Sequence, residues 1–298
     1  MLSRVADALY WMGRYVERAE HAARVLRVSQ GMLLELSEVS PRSGDPWKGT
    51  LEALALPDIS FASAVFDEGA SGSVVSSLYR ARENARQVRE VISSEMWEAL
   101  NETYWALKEA AEAPEREADM NETLADVVEG GFAFAGVADG TMRRGEGWLF
   151  TRLGQFMERA DKVSRVVRVQ YRAATEHGDD NLIWMPLLRA CSALEVFRKV
   201  HGTRLDRHHV VDFLVLDQEF PHTVRYSVNV VGEFAQRLSR AAGERGSDVD
   251  RAFGRLSSRL KYTQLADIEQ AGVDVFLNGL CAELAGAAMV LQRAYFQH

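Results

Sequence analysis

The stretches GRYVERAEHAARVLRV (Gly13–Val28) and GQFMERADKVSRVVRV (Gly154–Val169) share one pattern. In both, a Glu-Arg pair follows a glycine by four residues, Glu17-Arg18 in the first stretch and Glu158-Arg159 in the second. Around the first pair, apolar residues recur at spacings of three and four, which is the period of an amphipathic α-helix. The two stretches therefore predict two similar helices that carry the same charged pair.

Helical signals also dominate the rest of the chain. Its six prolines leave long uninterrupted segments, and no run shows the period-two alternation of a β-strand. Ser3 is predicted to cap the first helix, and a loop is predicted from about Ser40 to Gly72. Further helices are predicted over 73–93, 95–112, 118–140, 146–176, 183–200, 221–242, 248–262 and 265–296, with a short helix or turn over 206–216.

The similarity extends beyond the two glycine-led stretches and indicates an internal duplication. Residues 66–88 align with residues 216–238, and residues 118–131 align with residues 266–279. Three matches in the same order are hard to obtain by chance between amphipathic helices. We therefore predict a single all-α domain over 1–298. It is a helical bundle of two duplicated halves, about 1–142 and about 143–298, related by a pseudo-two-fold axis.

Composition argues against several classes of function. A net charge of −8 disfavours generic attraction to nucleic acid or anionic lipid. Cys191 and Cys281 provide neither a disulfide framework nor a zinc spacing, and both are predicted to be buried free thiols. Arg4, Asp7 and Arg14 interrupt any signal-peptide run, and no stretch approaches the roughly 20 apolar residues of a membrane span. We expect a cytoplasmic protein with no nucleic-acid or membrane partner.

Helix geometry separates the two members of each Glu-Arg pair. At about 100° per residue, Glu17 and Arg18 point to different faces of the helix. The neighbours of Arg18 one and two turns away are apolar or aromatic, and Arg159 lies in a similar seam. A guanidinium keeps its proton and is costly to bury unpaired, so both arginines need an anionic partner.

Three interpretations of the pairs follow. In the first, Glu17 or Glu158 of one half pairs with the arginine of the other half, which fixes the register of the bundle. In the second, Arg18 and Arg159 line a cleft between the halves that binds a carboxylate or phosphate. In the third, a glutamate acts directly as a catalytic base.

Two nearby acid-to-base pairs are interpreted differently. Glu20-Arg24 and Asp161-Arg165 have i,i+4 spacing, and such pairs stabilise an isolated helix by about 0.2–0.5 kcal/mol. Both are expected to lie on a solvated face.

Two other clusters are candidates for anion binding. Arg82, Arg86 and Arg89 recur along one helical stripe with Glu83 and Asn84 beside them, and the alternative is a simply solvated surface.

The second cluster is Arg225 and Tyr226, which follow Pro221. That proline is predicted at the first position of a helix whose exposed amides could receive an anion. The SGSVV segment from Ser71 is its counterpart in the first half.

Signatures of metal and cofactor chemistry are missing. Glu17 and His21 have a ligand spacing, but Lys162 stands where His21 would recur. The phosphate-loop, dinucleotide and nucleophile-elbow motifs do not occur, and neither does the Glu-x-x-His pair of di-iron bundles. We predict no metal and no cofactor.

The sequence resembles the alpha-E domain family, a predicted all-helical domain with an ER motif, over essentially the whole chain. Glu17-Arg18 and Glu158-Arg159 match the ER positions. His222 and Thr223 stand where the family form FPRSV.Y has Arg and Ser. The segments that carry the resemblance are LSRVADALYWMGRYVERAEHAARVL, ARENARQVREVISSEMWEALN, FTRLGQFMERADKVSRVV and FPHTVRYSV.

The resemblance implies a role in peptide- or amide-bond metabolism. Such domains are fused to, or encoded beside, circularly permuted ATP-grasp proteins, with transglutaminase-like and proteasome-like hydrolases nearby. A non-catalytic partner or substrate-presenting subunit of an ATP-grasp ligase is therefore expected, with a peptide or carboxylate ligand in an arginine-lined cleft. The alternatives are an enzyme in its own right, acting in acyl transfer or amide-bond chemistry, and a purely structural scaffold.

Overall fold

The structure is a computed structural model that describes residues 1–39, 46–114, 118–177, 181–243 and 247–296. Over these ranges the chain forms fourteen α-helices and no β-strand, which confirms the all-α prediction. The helices are α1 (Ser3–Val39), α2 (Pro46–Leu54), α3 (Phe61–Phe66), α4 (Val74–Gln87), α5 (Ser94–Glu112), α6 (Met120–Thr141), α7 (Glu146–His177), α8 (Asn181–Ala190), α9 (Leu194–His201), α10 (Arg207–Leu216), α11 (Val224–Ala241), α12 (Asp248–Tyr262), α13 (Leu265–Ala271) and α14 (Val273–Tyr295).

The predicted loop over 40–72 contains two short helices, α2 and α3, so this prediction was wrong for part of its length. Residues 40–45 of that loop lie outside the described residues. The Trp47 indole donates to the Ile59 carbonyl oxygen at 2.9 Å, and Ser60 caps α3 by accepting from the Ser63 amide. Helices this short are stabilised by such tertiary contacts, which periodicity does not register.

Several predicted boundaries also shift. The carbonyl of Leu2 accepts the first helical hydrogen bonds of α1, so Ser3 is its first residue and not its cap. The predicted helix over 183–200 is broken at Ser192 (φ +51°), and the one over 265–296 is broken at Gly272 (φ +83°). Each break needs a left-handed residue, and apolar periodicity gives no signal for one.

Two long helices, α1 and α7, lie at the centre of the molecule and pack along each other. On one side α1 contacts α4 and α6, and α5 packs on both of these. On the other side α7 contacts α11 and α14, and α12 packs on both of these. The Glu-Arg pairs therefore lie on the two helices that join the two groups.

Two glycines bring the backbones of α1 and α7 into direct contact. A Cβ atom on Gly13 would lie 2.1 Å from the Thr151 carbonyl oxygen. A Cβ atom on Gly154 would likewise lie 2.1 Å from the Tyr10 carbonyl oxygen. Real side chains do not approach backbone so closely, so the crossing requires glycine at both positions. It places the residues one turn later on each helix side by side.

The last long helix, α14, is apolar enough to cross a membrane by length and composition. The sequence-based statement that no stretch approaches such a span is therefore too strong for this segment. Core helices of soluble proteins pass the same test, and 39% of its apolar window is buried, where it packs on α7 and α12.

Candidate functional site

The two Glu-Arg pairs meet across α1 and α7 in crossed fashion. Arg18 donates from Nε to Glu158 Oε1 at 2.6 Å and from Nη2 to Oε2 at 3.2 Å. Arg159 donates from Nε to Glu17 Oε1 at 2.6 Å and from Nη2 to Oε2 at 2.8 Å. Each is a two-point contact of the kind that the guanidinium fork favours. These are the contacts of the first of the three interpretations, and we refer to them as the crossed pairs.

Aromatic rings support both arginines from the turn before. The Arg18 guanidinium lies over the Tyr15 ring at 5.2 Å, and the Arg159 guanidinium lies over the Phe156 ring at 4.9 Å. Aromatic faces attract cations and fix the plane of the guanidinium. The apolar seams predicted around the two arginines thus help to aim them at the opposite glutamates.

The carboxylate of Glu158 contacts more cations than the carboxylate of Glu17 does. Arg14 donates from Nε to Glu158 Oε2 at 2.7 Å, and Lys162 Nζ lies 3.9 Å from Glu158 Oε1. Burial disfavours the ionised carboxylate, but Arg14 and Arg18 outweigh it and hold the pKa of Glu158 well below its usual range. Glu158 is therefore an anion at any physiological pH.

A cleft of about 390 Å³ opens beside Glu158. It lies between α1, α7 and α14, and its rim includes the end of α2 and the Ser71-Gly72 turn that leads into α4. We call it the cationic cleft because four of its lining side chains are positively charged: Arg14, Arg18, Lys162 and Arg165.

Lys162 is the least satisfied of these cations. Its side chain is 7% exposed, and Nζ donates to the Leu54 carbonyl oxygen across a long 3.4 Å. Burial lowers the pKa of Lys162, and the nearby Glu158 opposes that shift. Within the described residues, one of its three ammonium hydrogens has an acceptor at hydrogen-bond distance.

The Asp161-Arg165 pair forms as predicted, at 2.8 Å, but it borders the cationic cleft and is partly buried. The prediction that Glu20-Arg24 lies on a solvated face was wrong. Those side chains are 4% and 5% exposed, with 3.1 Å between Oε1 and Nε. The reason is Gly131 of α6, where a Cβ atom would lie 2.4 Å from Glu20 Cγ. Without a side chain there, α6 packs directly on Glu20, while Ser192 and His222 contact Arg24.

Arg24 also joins a buried cluster that does not line the cationic cleft. It donates from Nη1 to Ser192 Oγ at 2.8 Å, and the same nitrogen lies 3.2 Å from His222 Nδ1. His21 is fully buried, and neither of its ring nitrogens has a hydrogen-bond partner among the described residues. Burial, reinforced by Arg24 and Lys162, holds the pKa of His21 well below its usual range, so its ring is neutral.

The predicted cluster on α4 does not line the cationic cleft. Arg82 donates to Asn101 Oδ1 at 2.6 Å, and its guanidinium lies among the rings of α5. Arg86 is 61% exposed and pairs with Glu83, while Asn84 donates to a carbonyl of its own helix. These residues join α4 to α5, and anion binding by them stays a prediction.

Arg225 and Tyr226 are positioned differently from the prediction. Helix α11 begins at Val224 with Thr223 as its cap, so Pro221 precedes the helix and is not its first residue. Arg225 donates to two backbone carbonyl oxygens, and the Tyr226 ring packs against that of Phe156. The carbonyl of Pro221 accepts from Arg159 at 3.2 Å, so this segment reaches one crossed pair through its backbone.

The two cysteines have different surroundings. Cys191 is buried, as predicted, whereas Cys281 is partly exposed and lines the cationic cleft. Burial raises the pKa of both thiols to about 12. Across the described ranges, no group of three or more His, Cys, Asp or Glu side chains could hold a metal ion.

Sequence reasoning did not group Arg14, Lys162 and Arg165 with the crossed pairs. Arg14 lies one turn before Arg18, and Lys162 lies one turn after Glu158, so helical spacing alone places each near its own pair. Their convergence depends on the contact of α1 and α7 at two glycines, which spacing does not reveal.

An all-helical domain with two crossed Glu-Arg pairs at its centre is the class of protein that this geometry defines. The family of the Alpha-E domain, described as a predicted alpha-helical domain with a conserved ER motif, matches residues 1–296. The chain therefore belongs to the alpha-E family.

Mycobacterial proteins are similar to this chain along most of its length. The uncharacterised proteins Mb2597 of Mycobacterium bovis and MT2643 of Mycobacterium tuberculosis are each 23% identical to it. Each alignment covers 95% of this chain and 34% of the relative. The chain thus spans about a third of the length of the curated relatives it matches. No solved structure matches it significantly.

Proposed function

We propose that this domain is a non-catalytic, substrate-presenting partner of an ATP-grasp amide or peptide ligase, and that its cationic cleft holds an anionic group of the substrate. The observation that carries the proposal is the cleft itself. Buried and half-buried cations line a cavity large enough for a small ligand, beside a carboxylate that is already saturated with arginines.

The surroundings of the two glutamates argue against the alternative of an enzyme in its own right. A general base must accept a proton near the working pH. Glu158 is bonded to Arg14 and Arg18, which keep its pKa low, and both oxygens of Glu17 accept from Arg159. Carboxylates held in this way act as anchors for arginines rather than as proton acceptors.

The greater length of the mycobacterial relatives supports the proposal that this domain works with a partner. This chain corresponds to about a third of each mycobacterial relative, so in those proteins a domain like this one is joined to much more polypeptide. The family resemblance supplies the class of that partner, because alpha-E domains occur fused to or beside circularly permuted ATP-grasp proteins. An ATP-grasp enzyme would supply the activation of a carboxylate by ATP.

We also infer that the two halves, about 1–142 and about 143–298, arose by duplication around a pseudo-two-fold axis. The crossing glycines and the crossed pairs support this, and so do the caps of α4 and α11. Ser73 Oγ donates to the Asp67 carbonyl oxygen and Thr223 Oγ1 donates to that of Asp217, both at 2.6 Å. The two halves then differ in function, because the cleft lies beside one crossed pair.

Co-elution tests the proposed partnership. This chain is mixed with the circularly permuted ATP-grasp protein from the same genome, each at about 10 µM, and analysed by size-exclusion chromatography with light scattering. We expect one complex whose mass is the sum of the two proteins. Separate elution of the two proteins, both shown to be folded by circular dichroism, would overturn the proposal.

Ligand-induced stabilisation separates the proposal from a purely structural scaffold. A scaffold shows no thermal shift with peptides, amino acids or small anions, whereas a presenting subunit is stabilised by the ligand it holds.

A further inference from the structure

The charged groups around the cationic cleft do not balance. Cations outnumber carboxylates by four to two, and the groups are Arg14, Arg18, Lys162 and Arg165 against Glu158 and Asp161. The negative charge of Glu158 offsets the charge of one of the two arginines bonded to it, and the charge of Asp161 offsets that of Arg165. Two positive charges therefore remain, one on the Arg14-Arg18 pair and one on Lys162.

At the equivalent positions around the other crossed pair, positive and negative charges do balance. The positions that match Arg14 and Lys162 hold Gln155 and His21, and both are uncharged. There Arg159 pairs with a glutamate, and so does Arg24. That side is also closed by Gly131 of α6 and by the contacts of Arg24 with Ser192 and His222, which lie in the turns before α9 and α11. Excess charge and open volume thus occur together, on one side only.

Lys162 is expensive to keep charged in this position. Its ammonium is nearly buried, with one long hydrogen bond and an anion 3.9 Å away. Burial of an ammonium with a single long hydrogen bond costs free energy. An anion in the cleft would complete its hydrogen bonds, and that gain would appear directly as affinity.

Resting on the proposed function, we infer that the cationic cleft binds a dianionic head group carried on a short apolar body. Two unbalanced positive charges call for two negative ones, as on a phosphate monoester or a pair of neighbouring carboxylates. The rest of the lining suits the apolar body, because much of it is aliphatic or thioether side chains: Leu54, Met157, Leu284, Ala288 and Met289.

Titration calorimetry on this chain alone tests the inference. Phenyl phosphate and glutarate are dianions at pH 7.5, and benzoate is a monoanion, all titrated at one ionic strength. We expect each dianion to bind about tenfold or more tightly than benzoate. The tighter dianion shows whether the head is a phosphate or a dicarboxylate, and two dianions no tighter than benzoate would overturn the inference.

Substitutions locate the binding. Lys162→Met removes the ammonium but keeps the length, so we expect about tenfold weaker binding of the tighter dianion and no fall in melting temperature. Arg165→Gln, at a half-exposed position, should weaken binding in the same direction. The control is Arg198→Gln, which removes an exposed arginine of α9 that does not line the cleft and should leave affinity unchanged. Unchanged affinity in Lys162→Met would contradict the inference.

The results of these titrations and of the co-elution experiment can be told apart. If no dianion binds but the chain still co-elutes with the ATP-grasp protein, the ligand class is wrong and the partnership stands. If dianions bind and co-elution fails, the cleft is a binding site and the proposed partner is wrong.

Discussion

Arg159 is joined to Glu17 by two hydrogen bonds in a contact that nearly excludes water, since the two side chains are 9% and 3% exposed. A buried ion pair of this kind is weak evidence for stability in itself, because both ions lose their hydration. Removing one partner is a different matter, since it leaves the other charge buried without compensation. The pair therefore locks α1 against α7 whether or not it adds net stability.

Glu17→Gln is predicted to destabilise the fold strongly. The amide keeps the shape of the side chain but leaves Arg159 buried without its anion, so the free energy of unfolding should fall by about 3–5 kcal/mol. Urea denaturation followed by circular dichroism measures this. The control is Glu83→Gln, which breaks an exposed pair with Arg86 and should cost less than about 1 kcal/mol.

The same variant separates the structural role of Glu17 from a catalytic one. A catalytic glutamate could be replaced by Gln with loss of turnover and little change in the urea midpoint. That outcome would contradict the reading of the crossed pairs as structural locks and would favour an enzyme.

Gly13→Ala and Gly154→Ala are predicted to be harmful although alanine is the better helix former. A methyl group at either position would overlap a carbonyl oxygen of the opposite helix, so α1 and α7 must separate. We expect a loss of about 2 kcal/mol or more for each in urea denaturation. Gly136→Ala is the control, since nothing lies within 4 Å of its Cβ position, and it should stabilise α6 by about 0.5–1 kcal/mol. Equal effects at all three positions would contradict the close crossing.

The crossed pairs were one of three interpretations that the sequence allowed, because each arginine and each glutamate lies in the same repeated motif. A buried arginine needs an anion, and the repeated glutamate of the other copy is a candidate for it. The cationic cleft was not predictable in this way. Its rim uses Leu54 and the Ser71-Gly72 turn, which lie outside the periodic helices, and its depth depends on how α14 packs.

The wrong prediction that Glu20-Arg24 lies on a solvated face has a physical explanation. An i,i+4 ion pair has the same sequence pattern whether the helix face that carries it is solvated or buried. What buries the pair here comes from far along the chain, because Gly131 lets α6 pack on Glu20 and because Ser192 and His222 contact Arg24. Contacts between distant segments of this kind are invisible to local spacing.

Stability is predicted to fall as the pH drops below about 6.5. Burial holds the pKa values of His21 and His222 well below that of a free histidine. Below pH 6.5 these two histidines take up protons in the unfolded chain and stay neutral in the folded protein, which destabilises the fold as the pH decreases. Burial raises the pKa of Glu20 to about 7, so the folded protein gains one proton there, and the two histidines outweigh that opposite contribution. Below about pH 4.5 the depressed pKa of Glu158 adds a second loss of the same sign.

His21→Gln is the check on this pH dependence. Removing one buried neutral histidine should reduce the slope of unfolding free energy between pH 5 and 6.5 by up to about 1.4 kcal/mol per pH unit. The measurement is the urea midpoint across that range, compared with the unsubstituted protein. An unchanged slope would mean that His21 is protonated in the fold.

The caps of α4 and α11 offer a test of how far the two halves have diverged. Ser73 accepts from the Ser76 amide at 3.1 Å, and Thr223 accepts from the Tyr226 amide at 3.3 Å. Ser73→Ala and Thr223→Ala should each cost about 1 kcal/mol of unfolding free energy, because each removes one cap.

Their effects on binding should differ, because the Ser71-Gly72 turn at the cap of α4 borders the cationic cleft and the cap of α11 does not. We therefore expect Ser73→Ala to weaken dianion binding in calorimetry and Thr223→Ala to leave it unchanged. Equal weakening by the two variants would show that general loosening of the bundle governs affinity. Weakening by Ser73→Ala alone would show that one half has kept an open, charged cleft while the other uses the same framework for packing.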